Sequence, residues 1–174
     1  PAAPIGLVIA SDNKHVAAGL GDGSLLLFDM AETDAAKGAA ITLSGPASPI
    51  VALAIVPDSG NFASVAADKS IKTWAASRSG DAKTLNGHKG QIFGVAWFPD
   101  GKQVATGAAD KTARIWDTAK AAQVREIAAH GEVVYALAIN PKGDLLVTAG
   151  DDKLIKYWNP ADGKELRKSE GHGG

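Results

Sequence analysis

The sequence contains no cysteine, only four histidines and no long apolar run. Without cysteine there are no disulfides, thiol nucleophiles or thiolate metal sites, and the scattered histidines lack the spacing of a metal site. No stretch of about 18 apolar residues is present to cross a membrane, and the start, PAAPIGLVIA, lacks the charged segment of a signal peptide. We therefore expect no metal, no cofactor and no membrane partner, and the sequence assigns no compartment.

An excess of charge of either sign is also missing. The 18 Lys and Arg residues balance 19 Asp and Glu residues, for a net charge of −1. This removes the electrostatic basis for binding nucleic acid or an anionic membrane surface, so neither is expected as a partner. The 174 residues suffice for one domain or a stack of small repeats.

The most informative feature is an internal repeat, which must be sought before any local assignment. Three residue types recur at intervals of 42: Trp74, Trp116 and Trp158; Asp68, Asp110 and Asp152; His88, His130 and His172. A looser first copy places Phe28 and Asp22 46 residues before Trp74 and Asp68. Its four extra residues fit best in a loop at 31–40.

Each repeat divides into four short strand-like runs. In the third repeat, QIFGVAWF ends at the turn PDGK, QVATGA ends at AADK, and TARIWD follows. Short β-branched and aromatic runs bounded by Pro, Gly and Asp are typical of all-β proteins. We predict one repeat array over 1–174, with units at about 4–43, 50–86, 91–128 and 133–169. Each four-stranded unit needs neighbours to cover its apolar faces.

These residues resemble the WD40-repeat β-propeller family. The third repeat is the best copy, with NGH at 86–88, PDG at 99–101 and IWD at 115–117, whereas the first repeat is weak. The resemblance covers almost the whole chain. It implies a β-propeller of four-stranded antiparallel blades, four blades per chain, and a non-enzymatic scaffold.

The resemblance also implies a structural tetrad of His, Ser or Thr, Asp and Trp in each blade. The matching residues are His88, Thr106, Asp110 and Trp116 in blade three, His130, Thr148, Asp152 and Trp158 in blade four, and Ser64, Asp68 and Trp74 in blade two. Blade two has Pro46 at the histidine position, and blade one has Ala18, Asp22 and Phe28, so we expect packing to hold these two blades. A set that recurs in several repeats is structural, and no strained serine turn is present, so we expect no catalysis.

Other proteins are expected to bind family members on the rim of the central channel. The candidate positions here are Val51, Phe93 and Tyr135, early in the first strand of their blades, and Asp151, just before a turn aspartate. Aromatic residues dominate interface hot spots, which favours Phe93 and Tyr135. The alternative is that these two rings pack between blades.

Four blades are few for a propeller, and an arc of four would expose an apolar face at each end. Three alternatives remain open. The first is a homodimer in which the end blades one and four pair and close an eight-bladed ring. In that ring, His172 would precede blade one of the second copy. The second is an excised or engineered fragment of a larger WD40 interaction platform, and the third is a compact four-bladed ring.

Overall fold

The computed structural model describes residues 2–9, 15–29, 41–43, 45, 48–56, 61–74 and 82–170. Within these ranges the chain forms strands and turns, and no helix there could span a membrane. The strands are β1 (Pro4–Ile9), β2 (His15–Leu20), β3 (Leu25–Asp29), β4 (Ile41–Leu43), β5 (Ile50–Ile55), β6 (Phe62–Ala66), β7 (Ile71–Trp74), β8 (Lys83–Leu85), β9 (Ile92–Trp97), β10 (Gln103–Ala108), β11 (Thr112–Asp117), β12 (Ala122–Ala128), β13 (Val134–Ile139), β14 (Leu146–Gly150), β15 (Leu154–Trp158) and β16 (Glu165–Glu170). The predicted loop at 31–40, Pro46 and His172 lie outside the described residues.

The strands form four separate sheets, each made of four strands that are consecutive in the chain. Every sheet is an antiparallel meander, ordered β1-β2-β3-β4, β5-β6-β7-β8, β9-β10-β11-β12 and β13-β14-β15-β16. The predicted all-β fold with four four-stranded blades is confirmed. The first blade forms even though its sequence departs most from the repeat.

Hydrophobic cores lie between successive blades. Because alternate residues of a strand face opposite sides of its sheet, an inner blade with neighbours on both sides is apolar on both faces. Each core contains residues from two successive blades. Leu25 and Trp74 share the core between blades one and two, Ile71 and Trp116 the core between blades two and three, and Ile115 and Trp158 the core between blades three and four. Each repeat thus contributes one face to the core before it and one to the core after it.

The four blades form an open arc. The innermost strands β1, β5, β9 and β13 contact one another in chain order, and within the described residues no strand of the first blade packs substantially against one of the last. Leu7 on β1 is 62% exposed and Tyr135 on β13 is 49% exposed. The described residues therefore do not form the compact four-bladed ring considered above.

A recurring aspartate shapes the turn between the second and third strands of each blade. Its carboxylate accepts a hydrogen bond from the backbone N–H two residues later, in the pairs Asp22–Ser24, Asp68–Ser70, Asp110–Thr112 and Asp152–Leu154. The residue between has positive φ: Gly23, Lys69, Lys111 and Lys153. Lysine in this conformation costs roughly 1 kcal/mol. Two of these lysines form hydrogen bonds to the next blade. Lys69 Nζ donates to Lys89 O (3.1 Å), and Lys111 Nζ donates to Gly131 O (2.6 Å).

Candidate functional site

In the third blade, four side chains form one hydrogen-bonded chain: Thr106 and Trp116 lie on β10 and β11, Asp110 lies in the turn between them, and His88 lies in the segment before β9. His88 Nδ1 lies 2.9 Å from Asp110 Oδ2, and His88 Nε2 lies 2.8 Å from Thr106 Oγ1. Trp116 Nε1 donates to the same Thr106 oxygen at 2.8 Å. His88, Thr106 and Trp116 are buried, so this chain of bonds satisfies polar atoms that have little access to water.

The protonation states of His88 and Asp110 fix the donor of each bond in this chain. The indole N–H of Trp116 can only donate, so Thr106 Oγ1 accepts from it. With a neutral imidazole and an ionised carboxylate, the proton of His88 lies on Nδ1 and is donated to Asp110, and Nε2 accepts from the hydroxyl of Thr106. The electrostatics agree with this arrangement. Burial lowers the pKa of His88, against the opposing effect of Asp110.

The carboxyl group of Asp110 stays ionised in the same network. Its burial opposes ionisation, but hydrogen bonds from Thr112, His88 and the backbone N–H of Lys89 outweigh burial and hold the pKa of Asp110 at about 2. The network therefore pairs a neutral imidazole with a charged carboxylate. These protonation states agree with a hydrogen bond donated from His88 Nδ1 to Asp110 and one accepted by His88 Nε2 from Thr106.

The fourth blade repeats the arrangement. His130 Nδ1 lies 2.7 Å from Asp152 Oδ1, His130 Nε2 lies 2.8 Å from Thr148 Oγ1, and Trp158 Nε1 donates to Thr148 Oγ1 at 2.9 Å. Burial opposes ionisation of Asp152, but hydrogen bonds led by the backbone N–H of Gly131 lower the pKa of its carboxyl group.

In the second blade, where we expect packing rather than polar links, Ser64, Asp68 and Trp74 form no shared hydrogen-bonded network among the described residues. Ser64 is fully buried, and its hydroxyl has no hydrogen-bond partner among the described residues. The ring of Trp74 stacks on Phe62 with centroids 5.1 Å apart, and Asp68 accepts from its own turn. The physical reason is the missing histidine, because without an imidazole the serine has no acceptor and the aspartate no side-chain donor across the blade.

The tetrads of blades three and four stabilise the fold. Both histidine side chains are buried, with both ring nitrogens engaged inside the blade. An acid–base pair for catalysis must instead reach a substrate proton. Within the described ranges, no group of three or more His, Cys, Asp or Glu residues could hold a metal ion.

A β-bulge marks one end of the innermost strand in every blade. At this point two residues of the innermost strand oppose one residue of the next, between Pro4 and Gly6, Ile50 and Ala52, Ile92 and Gly94, and Val134 and Ala136. The extra residues are Ile5, Val51, Phe93 and Tyr135. A bulge re-aims the side chain of its extra residue and often lies beside a functional site. Three of the four predicted interaction residues thus share one structural feature that single-sequence reading did not detect.

The bulge residues of neighbouring blades can touch. The rings of Phe93 and Tyr135 meet edge to face across blades three and four, with centroids 5.3 Å apart. Phe93 is half-buried, as the alternative of packing between blades expects, whereas Tyr135 stays exposed. The remaining predicted residue, Asp151, is exposed, and its backbone N–H donates to Val133 O beside the bulge of the fourth blade. The four predicted interaction residues therefore lie at the bulged ends of the innermost strands, which we call the rim.

The two outer faces of the arc match the buried faces inside it. On blade four, Ile155 and Tyr157 are partly exposed, whereas the equivalent Ala113 and Ile115 of blade three are buried against the next blade. A shallow, mostly apolar depression of about 210 Å³ lies on this face of blade four, lined by Ala136, Leu137, Ala138, Val147, Thr148, Ala149 and Ile155.

Blade one is open on the opposite side. Leu7 and Phe28 are exposed, whereas the equivalent Leu53 and Trp74 of blade two pack into the core between blades one and two. The arc therefore ends in two apolar faces. Blade four exposes the face that elsewhere packs against the following blade, and blade one exposes the face that elsewhere packs against the preceding blade.

A family model of the WD domain, G-beta repeat, matches residues 39–75, 81–117 and 121–159. The chain belongs to the WD40-repeat family. Each matched WD40 segment spans the outermost strand of one blade and the first three strands of the next, so the sequence repeat is offset from the blade by one strand. WD40 propellers generally act as non-enzymatic scaffolds that bind other proteins.

The WD40 chain also resembles solved structures. One is a chain in the crystal structure of the mitotic checkpoint complex, with a TM-score of 0.81 and 25% sequence identity over 95% of this chain and 50% of that chain. The present chain thus spans about half the length of that one. A comparison with curated protein sequences finds no match.

Proposed function

We propose that this chain is a WD40 half-propeller scaffold that closes an eight-bladed ring with a second copy of itself. The last blade of each copy packs against the first blade of the other, so two equivalent junctions complete the ring. Head-to-tail contacts form rings when the rotation closes, and eight blades lie within the usual range of propellers. The observation that carries the proposal is that the two end faces reproduce the two sides of the internal junctions.

Residue sizes at the internal junctions define how closely the two end faces can approach in this pairing. One residue of each incoming innermost strand faces a cross-strand pair of the previous blade. The combinations are Leu53 on Gly6 and Gly19, Val95 on Ala52 and Val65, and Leu137 on Gly94 and Gly107. Leu53 and Leu137 each pack on two glycines, whereas the smaller Val95 packs on the larger pair of Ala52 and Val65.

The contacts at the glycine pairs are close. A carbon added at Gly19 would lie 3.2 Å from Leu53 Cδ1, and one added at Gly107 would lie 3.1 Å from Leu137 Cδ2. In the proposed ring, Leu7 of one copy faces the equivalent pair of the other. That pair is Ala136 with Ala149, which is larger than the glycine pairs under Leu53 and Leu137, so Leu7 must lie a few tenths of an ångström further out than those leucines do.

The absolute molar mass in solution tests the ring. We expect light scattering across a dilution series to give a mass near twice 17.7 kDa, about 35.4 kDa, because complete burial of each Leu, Ile or Phe side chain contributes about 1.5–3 kcal/mol. A mass of 17.7 kDa at every concentration, or an open-ended distribution of larger species, would overturn the proposal.

The alternative is that the chain is one part of a longer WD40 interaction platform whose further blades cover the end faces. Its span of about half of a solved WD40 chain supports this alternative. A monomer in the dilution series would favour it over the ring.

We further propose that the rim binds another protein through an apolar anchor residue of that protein. Val51, Phe93 and Tyr135 occupy the bulges at this end of the blades, and Asp151 adds an exposed negative charge near the last bulge. Val51 also packs partly against the core between blades two and three, so Phe93 and Tyr135 are the main candidates. The half-buried ring of Phe93, the exposed ring of Tyr135 and the nearby carboxylate suit a segment with an apolar side chain and a nearby cation.

A displayed random-peptide library tests the rim. Peptides selected on the wild-type chain should bind the variant Phe93→Ala about 30-fold more weakly, which corresponds to the loss of one interface hot spot. The matched control is Val124→Ala, an exposed apolar residue on the outer strand β12, which should leave binding unchanged. Failure to select any peptide, or equal binding by both variants, would exclude the rim site.

A further inference from the structure

Asn86 is the one asparagine in the sequence that is followed by glycine, and it comes two residues before the tetrad histidine His88. Asparagine is among the thermolabile residues of proteins, because the backbone nitrogen of the following residue can attack its side-chain amide. Glycine favours this attack, since it has no Cβ to block the approach and its backbone is the most flexible. Asn86 and Gly87 are both exposed, so water has access to the reacting atoms.

The backbone at this pair is less restrained than at the equivalent place in the next repeat. The backbone N–H of Gly87 donates no hydrogen bond to another of the described residues. Before His130, by contrast, Ala128 belongs to β12, and the backbone N–H of Ala129 donates to Lys111 O at 3.1 Å. The nitrogen of Gly87 is therefore available to react, whereas that of Ala129 is engaged.

The other asparagines within the described ranges lack this combination. Asn140 and Asn159 precede prolines, which have no backbone N–H to lose. Asn61 precedes Phe62, which is 1% exposed at the start of β6, so the backbone nitrogen of Phe62 is closed to water. Among these residues the reaction therefore favours Asn86.

We propose that Asn86 deamidates spontaneously and that the isoaspartate formed there weakens the tetrad of blade three. The backbone nitrogen of Gly87 loses its proton and bonds to Cγ of Asn86, while the Cγ–Nδ2 bond breaks and Nδ2 leaves as ammonia. Water then opens the cyclic imide at one of its two carbonyl carbons. One opening gives aspartate, and the other gives isoaspartate, whose main chain runs through Cβ and Cγ and is one carbon longer. Water is the only co-reactant.

A lengthened main chain would meet tightly packed surroundings here. A carbon added at Gly87 would lie 2.9 Å from Arg114 Nη1 and 3.0 Å from Trp116 Cη2. His88 follows directly, and its two ring nitrogens lie 2.9 and 2.8 Å from their tetrad partners. Because Leu85 and His88 are both buried, an additional backbone carbon between them displaces the imidazole from this chain of hydrogen bonds.

Peptide mass spectrometry tests the site. The folded chain is incubated at mildly alkaline pH, and the aged and fresh samples are digested in parallel with trypsin, which should release residues 84–89 between Lys83 and Lys89. In the aged sample we expect this peptide to show the mass gain of deamidation, with isoaspartate at position 86, whereas peptides that contain Asn61 or Asn140 stay unchanged.

Urea denaturation measures the effect on the tetrad. The isoaspartate form, separated by chromatography, should have a folding equilibrium constant about 5- to 30-fold lower than that of fresh protein, which corresponds to one or two lost hydrogen bonds. The control Asn86→Ala copies Ala128 of the next repeat and cannot form the imide, so incubation should change neither its mass nor its stability. Fresh Asn86→Asp carries the charge of the product without the longer main chain and should be as stable as the wild type.

The two halves of the proposal can fail separately. A wild-type peptide that stays unchanged, or conversion at Asn61 as extensive as at Asn86, would rule out the site. Conversion at Asn86 with an unchanged folding equilibrium, or an equal loss of stability in fresh Asn86→Asp, would rule out the effect of the lengthened main chain on the tetrad.

Discussion

Replacement of Trp116 by alanine should lower the free energy of unfolding by about 3–5 kcal/mol, the range for large aromatic truncations in a core. The side chain is 1% exposed and packs in the core between blades two and three. The truncation also removes the indole donor to Thr106 at the centre of the tetrad. Urea denaturation of the wild-type chain and the variant measures the difference.

Trp74→Ala is the control that separates packing from hydrogen bonding. Trp74 is 4% exposed and stacks on Phe62, but it makes no hydrogen bond to Ser64 in the described residues. Its truncation should cost about 1–2 kcal/mol less, because no hydrogen-bonded network is broken. Equal losses for the two variants would show that the tetrad adds nothing to packing, and a loss below 1 kcal/mol for Trp116→Ala would contradict the core assignment.

The fold could be predicted because its strongest signal is the repeat. The 42-residue spacing of Trp74, Trp116 and Trp158 needs no knowledge of long-range contacts, and the turn aspartates mark where strands end. Even the degenerate first repeat keeps Asp22, whose carboxylate still accepts from Ser24 in its turn. The periodic apolar residues then predict faces that only neighbouring blades can cover.

The parts that sequence reasoning missed depend on the register between strands and on neighbouring blades. Ser64 and Trp74 keep the tetrad spacing, but Trp74 lies directly opposite Phe62 across the strands and stacks on its ring, a contact that depends on the register. The hydrogen bonds that Lys83 and Arg125 donate to the next blade cannot be predicted from a single repeat. Their acceptors are backbone oxygens about 36 residues away on another blade. A comparison of cationic positions across repeats could have found them.

A charge placed on the apolar end face of blade one should have the second large effect, on the assembly of the proposed ring. Leu7→Glu should convert the proposed ring into a monomer of 17.7 kDa at all concentrations used for light scattering. The substitution places a carboxylate against the apolar face of blade four, and an unpaired buried charge costs several kcal/mol. With two equivalent junctions the penalty enters twice, so we expect dimer affinity to fall by at least about 10⁴-fold. Because Leu7 is exposed in the single chain, the stability of the monomer should change by no more than about 0.5 kcal/mol.

Leu166→Glu provides the control, because Leu166 is also an exposed leucine but belongs to the outer strand β16. The equivalent Val124 of blade three stays 49% exposed although that blade has neighbours on both sides. A ring-closing blade should therefore not cover Leu166, and Leu166→Glu should keep the dimer mass. If both substitutions dissociate the dimer, the ring joins through another surface. If neither does, the end face of blade one is not the junction, whereas loss of the dimer with Leu7→Glu alone places the contact on the face that the repeat predicts.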